Sequence, residues 1–98
     1  MDILGFEGFD WDEGNARKNE KHGVSHSEIE QVFQNSPILL APDPAHSLVE
    51  DRFAAWGVTN EERHLAVVFT FRDRQTLIRP ISARPMNRKE RKLYEKAS

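Results

Sequence analysis

The sequence predicts an α+β domain in which two N-terminal helices and one C-terminal helix pack on a four-stranded, mostly antiparallel sheet. The first observation is length, because the 98 residues fit one compact unit spanning 1–98 and leave no room for a second core. The second is a set of helix-start signals near residues 12, 25 and 87. The third is the alternating apolar pattern that fills much of the chain between residues 38 and 83.

The two N-terminal helices are predicted from their end signals. Asp12 is a good N-cap for a helix over 13–21, and Gly23 is a natural left-handed stop. Ser25 and Glu28 have the spacing of a capping box, so a second helix begins there and ends before the next proline.

Four strands are expected next, over 38–40, 52–58, 64–71 and 76–83. A tight hairpin at Asp73-Arg74 pairs Phe71 with Thr76 and Val67 with Pro80. The more apolar face, which is the predicted core face, holds Leu65, Val67, Phe69, Phe71, Ile78 and Pro80. The other face holds His64, Ala66, Val68, Arg72, Leu77, Arg79, Ile81 and Ala83.

Two local signals complete the fold prediction. Pro80 cannot donate a ladder hydrogen bond, so its strand is either an edge or bulged at that point. Asn87 and Glu90 repeat the capping-box spacing and begin the final helix.

Composition excludes several classes of protein. The chain has no cysteine, which rules out a disulfide framework, a thiolate zinc site and a cysteine nucleophile. Its longest unbroken apolar run, over 65–69, is far shorter than a membrane span. A cytoplasmic protein without a membrane segment is therefore expected.

Charge is divided unevenly along the chain. Residues 1–62 carry four Lys or Arg against thirteen Asp or Glu, whereas residues 63–98 carry ten against three. The basic C-terminal third indicates either a polyanion site or a surface matched to an acidic partner, with a solvated charged face as the plainer alternative.

Histidines and acidic clusters are the other candidates for chemistry. Of the histidines at 22, 26, 46 and 64, none has metal-ligand spacing, and His64 is singled out by its place among basic groups on the less apolar face. Acidic clusters near residues 10–13 and 43–51 could hold a divalent ion, but such groupings are common by chance in a chain with sixteen acids. We therefore expect no metal and no cofactor.

Five short motifs lie in order along residues 6–95, namely FDWDE (9–13), NEKHGVS (19–25), DPAHS with Glu50 and Arg52, ISAR (81–84), and ER with Tyr94-Glu95. Together they resemble the BrnT family of type II toxins. The resemblance implies a RelE-like ribonuclease toxin whose partner is a BrnA-like antitoxin with a ribbon-helix-helix DNA-binding part. It also implies that the toxin contacts DNA only through that antitoxin. The implied assembly is a homodimer or a heterotetramer.

The family motif positions carried by this sequence are Lys21, His22, Arg52 and Arg84, with Tyr94 as a further candidate. RNA cleavage through the substrate's own 2′-hydroxyl requires a base, an acid and cations for the phosphorane-like charge. The catalytic candidates are Arg84 first, then Arg79 and Arg52 as cations, with His22, His64 and Lys21 for proton transfer. The RNA-binding candidates are Arg72, Arg88, Lys89, Arg91 and Lys92. The alternative is a non-catalytic module that binds an acidic partner or RNA.

Overall fold

A computed structural model of the chain describes residues 6–11, 22–43, 50–74 and 76–97. In chain order the elements are β1 (Gly8–Phe9), α1 (His26–Gln34), β2 (Leu39–Pro42), β3 (Phe53–Val58), β4 (His64–Arg72), β5 (Leu77–Pro85) and α2 (Arg88–Ala97). The strands form one five-stranded sheet in the order β1-β5-β4-β3-β2. Neither α1 nor α2 is long and apolar enough to cross a membrane.

The predicted fold class is wrong in its sheet. Within the described residues there are two helices and a mixed five-stranded sheet, whereas two N-terminal helices, a four-stranded, mostly antiparallel sheet and a C-terminal helix were predicted. The additional strand is β1, which pairs with β5 in parallel, and Asp10 N–H donates to the Ile78 carbonyl at 2.8 Å. Two residues are too few to show an alternating pattern, so sequence periodicity does not detect β1. The first predicted helix, over 13–21, lies outside the described residues.

Both capping boxes that lie within the described residues are confirmed. Ser25 Oγ accepts from Glu28 N–H at 3.1 Å, and the Glu28 carboxylate accepts from Ser25 N–H at 3.0 Å. At the start of α2, Asn87 Oδ1 and the Glu90 carboxylate make the same reciprocal pair at 2.8 and 2.9 Å. Each box satisfies backbone donors that the first helical turn leaves unpaired.

The β4–β5 hairpin has a different register from the one predicted. Arg72 pairs with Leu77, so the connection is four residues long, and Asp73 and Arg74 both adopt left-handed conformations with φ of 52° and 56°. Phe71 consequently pairs with Ile78 rather than with Thr76. The predicted two-residue turn is therefore wrong, because the connection between β4 and β5 has four residues.

Pro80 lies next to a bulge, as its missing N–H predicts. Val68 pairs with Ser82 and Phe69 pairs with Pro80, which leaves Ile81 unpaired in β5. The bulge reverses the alternation beyond it, and Ala83 therefore lies on the core face, only 1% exposed, instead of on the opposite face.

The core lies between α1 and one face of the sheet. The apolar stripe of α1, formed by Ile29, Val32 and Phe33, is buried against Leu65 and Phe69 of β4. The close approach of helix and sheet depends on Gly57, because a Cβ there would lie 3.0 Å from Val32 Cγ1. The predicted core face is thus confirmed, and the opposite face of the sheet points away from α1.

Candidate functional site

The face of the sheet that points away from α1 carries four of the eleven predicted site residues, and we call it the distal face. Its β4 members are His64, Ala66, Val68, Thr70 and Arg72. Direct pairing across β4 and β5 adds two further arginines to this face, since Ala66 is opposite Arg84 and Thr70 is opposite Arg79.

Arg84 is held on this face by a two-point ion pair with Glu90. Its Nη1 and Nη2 atoms donate to the two carboxylate oxygens at 2.6 and 2.7 Å, and Nη1 also donates to the Pro85 carbonyl at 3.2 Å. The Arg84 side chain remains 46% exposed, whereas that of Glu90 is 15% exposed. The guanidinium is therefore fixed in orientation at a position that solvent, or a ligand, still reaches.

Glu90 serves two purposes in this arrangement. Its carboxylate caps α2 through Asn87 N–H and at the same time accepts both hydrogen bonds from Arg84. The hydrogen bonds from Arg84 lower the pKa of the Glu90 carboxyl, with the Asn87 N–H adding to the effect against the opposing influence of burial. The same bonds raise the pKa of the guanidinium, so both groups are fully charged near neutral pH.

The pairing leaves one edge of the Arg84 guanidinium available. A guanidinium has five N–H donors. The two bonds to Glu90 use one N–H of Nη1 and one of Nη2, and the bond to the Pro85 carbonyl uses the second N–H of Nη1. No described residue accepts from the Nε–Nη2 edge, whose two parallel N–H groups match a pair of phosphate oxygens.

His64 lies near Arg84 at the same end of the distal face. The two residues are diagonal neighbours across β4 and β5, a relation that places Cα atoms about 7–8 Å apart. The His64 side chain is 14% exposed, and its Nε2 lies 3.9 Å from a Glu95 carboxylate oxygen. Its Nδ1 is buried and has no hydrogen-bond partner among the described residues.

Tyr94 fixes α2 over this end of the sheet. Its ring meets the His64 imidazole edge to face at 5.6 Å, and its hydroxyl donates to the Pro37 carbonyl at 2.5 Å. Burial raises the pKa of the Tyr94 phenol, so the hydroxyl stays protonated and keeps its role as a donor. Tyr94 is therefore in contact with both the His64 imidazole and the segment that precedes β2.

Three of the other predicted cations, Arg52, Arg72 and Arg79, form a second group near the β4–β5 hairpin. Arg72 Nη1 donates to Glu50 Oε1 at 2.8 Å, and Arg52 lies 3.6 Å from the second oxygen of the same carboxylate. Hydrogen bonding from Arg72 is the main cause that lowers the pKa of Glu50. Arg79 pairs with Asp10 at 3.3 Å.

The two groups of cations are well separated on the distal face. The row of Arg79 is four β4 residues from the row of Arg84, or about 13 Å along the strand. The structure therefore does not bring Arg52 and Arg79 to Arg84, and each of those two arginines is opposed by an acidic side chain.

Of the remaining proton-transfer candidates, Lys21 lies outside the described residues. His22 is exposed and precedes Gly23, whose φ of 66° is the left-handed conformation predicted for it. The Gly23 carbonyl accepts from Arg63 Nη1 at 2.8 Å, which places this segment beside the turn that precedes β4. No contact in the described part of the chain joins His22 to Arg84.

The helix α2 adds a cationic surface of its own. Arg88, Lys89 and Lys92 share a surface groove with Leu93 and Lys96. Leu93 is 49% exposed at the centre of these charges. Arg91 differs from them, because its Nε lies 3.3 Å from the Glu95 carboxylate.

The acidic clusters considered as metal ligands are only partly within the described residues. There, Asp10 and Glu50 face arginines, and no group of three or more acidic or histidine side chains comes together. Asp12, Glu13 and His46 lie outside the described residues.

Sequence reasoning missed two residues of this site. Glu90 was recognised as a helix cap and as part of the ER motif, but its ion pair with Arg84 was not predicted. Trp56 was not singled out, although its β3 register could have placed it in one row with Ala66 and Arg84.

Comparison with protein families gives one finding that bears on this site. Residues 11–90 match the family described as a ribonuclease toxin, BrnT, of type II toxin–antitoxin systems. The match spans 80 of the 98 residues and includes Trp56, His64, Arg84 and Glu90. Comparison with curated proteins gives no match.

Proposed function

The chain belongs to the BrnT family of ribonuclease toxins of type II toxin–antitoxin systems, and on that premise we propose that it cleaves RNA without a metal ion. In this reaction the 2′-hydroxyl beside the scissile phosphate loses its proton and attacks phosphorus. The 5′-oxygen leaves and takes up a proton, so the products are a 2′,3′-cyclic phosphate and a 5′-hydroxyl end. The protein supplies the base, the acid and cationic donors.

The observation that carries the proposal is the state of Arg84. Its guanidinium is oriented by Glu90 while its Nε–Nη2 edge faces no described acceptor. A donor pair that is fixed before the substrate arrives stabilises developing phosphate charge without being reorganised during the reaction. Arg84 is therefore the group to which we assign stabilisation of the transition state.

We assign proton transfer to His64 because it is the histidine that shares the distal face with Arg84. Its Nε2 lies 3.9 Å from a Glu95 carboxylate oxygen. Arg52, Arg72 and Arg79 are assigned to attraction of the RNA backbone, since all three lie about 13 Å or more from the Arg84 row.

The test compares Arg84→Ala with Arg63→Ala in a buffer that contains EDTA. Arg63 is a matched control because it also bonds both oxygens of a capping-box glutamate, Glu28, at 3.0 Å each. We expect Arg84→Ala to lower kcat by roughly 10²–10³-fold, the effect of losing one preorganised donor. Arg63→Ala should lower stability and change kcat little.

Two results would contradict the proposal. The first is an equal loss of kcat in the two variants, which would reduce Arg84 to a structural role. The second is activity that disappears in EDTA and returns with Mg²⁺. A folded chain that binds RNA and cleaves none would support the alternative of a non-catalytic binding module.

A type II toxin has an antitoxin as its partner, and we propose that this partner is BrnA-like and carries the DNA-binding part. The cationic groove of α2 supports a further feature of the complex. Arg88, Lys89 and Lys92 make no ion pair with any described residue, and they surround the exposed Leu93. A segment with acidic and apolar side chains fits this surface, and its binding would compete with RNA.

A further inference from the structure

Trp56 differs from the other aromatic residues in having no specific partner. The six phenylalanines, Trp11 and Tyr94 all make ring contacts, and Trp11 is the closest parallel. Trp11 stacks on His26 with ring centroids 3.9 Å apart, and its Nε1–H donates to Glu30 at 2.9 Å. Among the residues that the structure describes, none makes a ring contact or a hydrogen bond with Trp56.

The position of Trp56 relates it to the candidate site. Trp56 pairs with Ala66, and Ala66 pairs with Arg84, so the three residues form one row across the distal face. Two strand spacings separate the backbone of Trp56 from that of Arg84, or about 10 Å. The residue between them is Ala66, which has a short side chain and is 8% exposed.

A small apolar cavity adjoins the indole. It measures about 240 Å³ and is lined by Trp56 and by Leu39, Leu40, Ala41 and Ala54. This volume is below the range of roughly 300–1,000 Å³ that is typical of drug-sized ligand sites. The cavity can therefore hold one planar ring system, but it is too small for the several side chains that a docked helix would insert.

We propose that Trp56 is the stacking platform for a nucleobase of the RNA substrate. Single-stranded RNA is commonly bound by bases stacked on aromatic side chains while cations hold the phosphates. The row from Trp56 to Arg84 offers both elements on one face. This inference rests on the proposed function, because it takes the phosphate at Arg84 as the neighbour of the stacked base.

The apolar lining of the cavity also indicates how the base is selected. The side chains around the indole offer no hydrogen-bonding group apart from Trp56 Nε1–H, so they cannot read the edge of a base in detail. The subsite therefore discriminates by stacking strength and ring size, and it favours purines over pyrimidines.

The first test is kinetic and uses Trp56→Ala with Trp56→Phe and Trp11→Phe as comparisons. Losing one stacked base should weaken substrate binding about 5- to 100-fold, so we expect Trp56→Ala to raise KM by that factor and to affect KM more than kcat. Trp56→Phe should retain most of the affinity. Trp11→Phe, which alters a side chain bonded to Glu30 and stacked on His26, should leave KM unchanged. Thermal unfolding of each variant shows that the chain is folded.

The second test is spectroscopic and does not depend on catalysis. The chain has two tryptophans, so Trp11→Phe leaves Trp56 as the only indole. An oligonucleotide whose 2′-hydroxyls are replaced by hydrogen resists cleavage and still carries bases and phosphates. We expect its purine-rich form to quench the Trp56 fluorescence in a saturable manner.

The outcomes separate this inference from the proposed function. Quenching with an inactive Arg84→Ala enzyme supports both, and quenching when Arg84→Ala retains full activity supports the subsite and contradicts the role of Arg84. Absence of quenching together with an unchanged KM in Trp56→Ala overturns the subsite. A variant that cleaves RNA normally but binds the antitoxin weakly would show that Trp56 is a protein-docking residue instead, and would also overturn it.

Discussion

Replacing Glu90 by glutamine tests whether the orientation of Arg84 matters beyond its presence. Glutamine keeps an acceptor for Asn87 N–H, so the cap of α2 remains, but it removes the charge that accepts from Nη1 and Nη2 of the guanidinium. Because Arg84 is 46% exposed, solvent screens the pair, and we expect unfolding free energy to fall by only about 1 kcal/mol. An arginine freed from its partner regains up to roughly 2 kcal/mol of rotamer freedom. That figure limits the loss in kcat to about 30-fold, and we expect about 10-fold.

The matched control for this experiment is Glu28→Gln, which alters the same kind of capping box and the same kind of arginine pair at the start of α1. Steady-state cleavage of a short RNA gives kcat and KM, and urea unfolding gives stability. Both variants should lose similar stability, whereas only Glu90→Gln should lower kcat. Its KM should stay constant or fall, because a negative charge has been removed beside the phosphate site. Equal kcat values in the two variants would refute the positioning role of Glu90.

Two further predictions concern pH and the antitoxin. Hydrogen bonds to their carboxylates lower the pKa values of Glu28, Glu50 and Glu90 in the folded state. These three carboxylates therefore stabilise the fold at a pH above their unfolded pKa of about 4.5. That stabilisation is lost as the pH falls through their pKa values in the folded state. Thermal unfolding should therefore show a constant Tm from pH 7 to about pH 5 and a decline below that, and a Tm that rises on acidification would contradict these ion pairs. In the complex, the antitoxin should cover the cationic groove of α2, and a complex that leaves Arg88 and Arg84 fully open to solvent would count against charge-based inhibition.

Features encoded within a few residues were predictable from sequence. Ser25 with Glu28 and Asn87 with Glu90 mark their helices correctly, because a capping box is satisfied by residues three positions apart. The alternation of β4 also identified the core face, since Leu65, Val67 and Phe69 are buried and Phe71 packs against them. Both signals are local and hardly depend on the rest of the chain.

Features that depend on how distant segments meet were not predictable in the same way. The two-residue β1 has no pattern of its own and exists because β5 presents an edge to it. The hairpin register depends on a four-residue loop, and the place of Ala83 depends on the bulge at Ile81. A single bulge reverses every side chain beyond it, so one missed residue displaced the predicted face of that strand segment.

The candidate site shows the same division. Arg84 was identified through the ISAR motif, and its place near the end of β5 was as expected. The distance between Arg84 and Arg79 was not foreseen, although residues five positions apart in one strand lie far from one another compared with the size of a phosphate. The contact between Arg84 and Glu90 required knowledge that α2 turns back over the end of the sheet, which no local signal contains.

The most direct measurement compares the saturated cleavage rate of Arg84→Ala with that of Lys92→Ala in EDTA, over a range of salt concentrations. Lys92 lies on the exposed surface of α2, where a phosphate contact is long-range and screened. We expect Lys92→Ala to raise KM modestly, to reduce its salt dependence and to leave kcat nearly unchanged. We expect Arg84→Ala to lower kcat by roughly 10²–10³-fold at every salt concentration. If both substitutions acted only on KM, with equal salt slopes, Arg84 would be a binding residue and its assignment to the transition state would be contradicted.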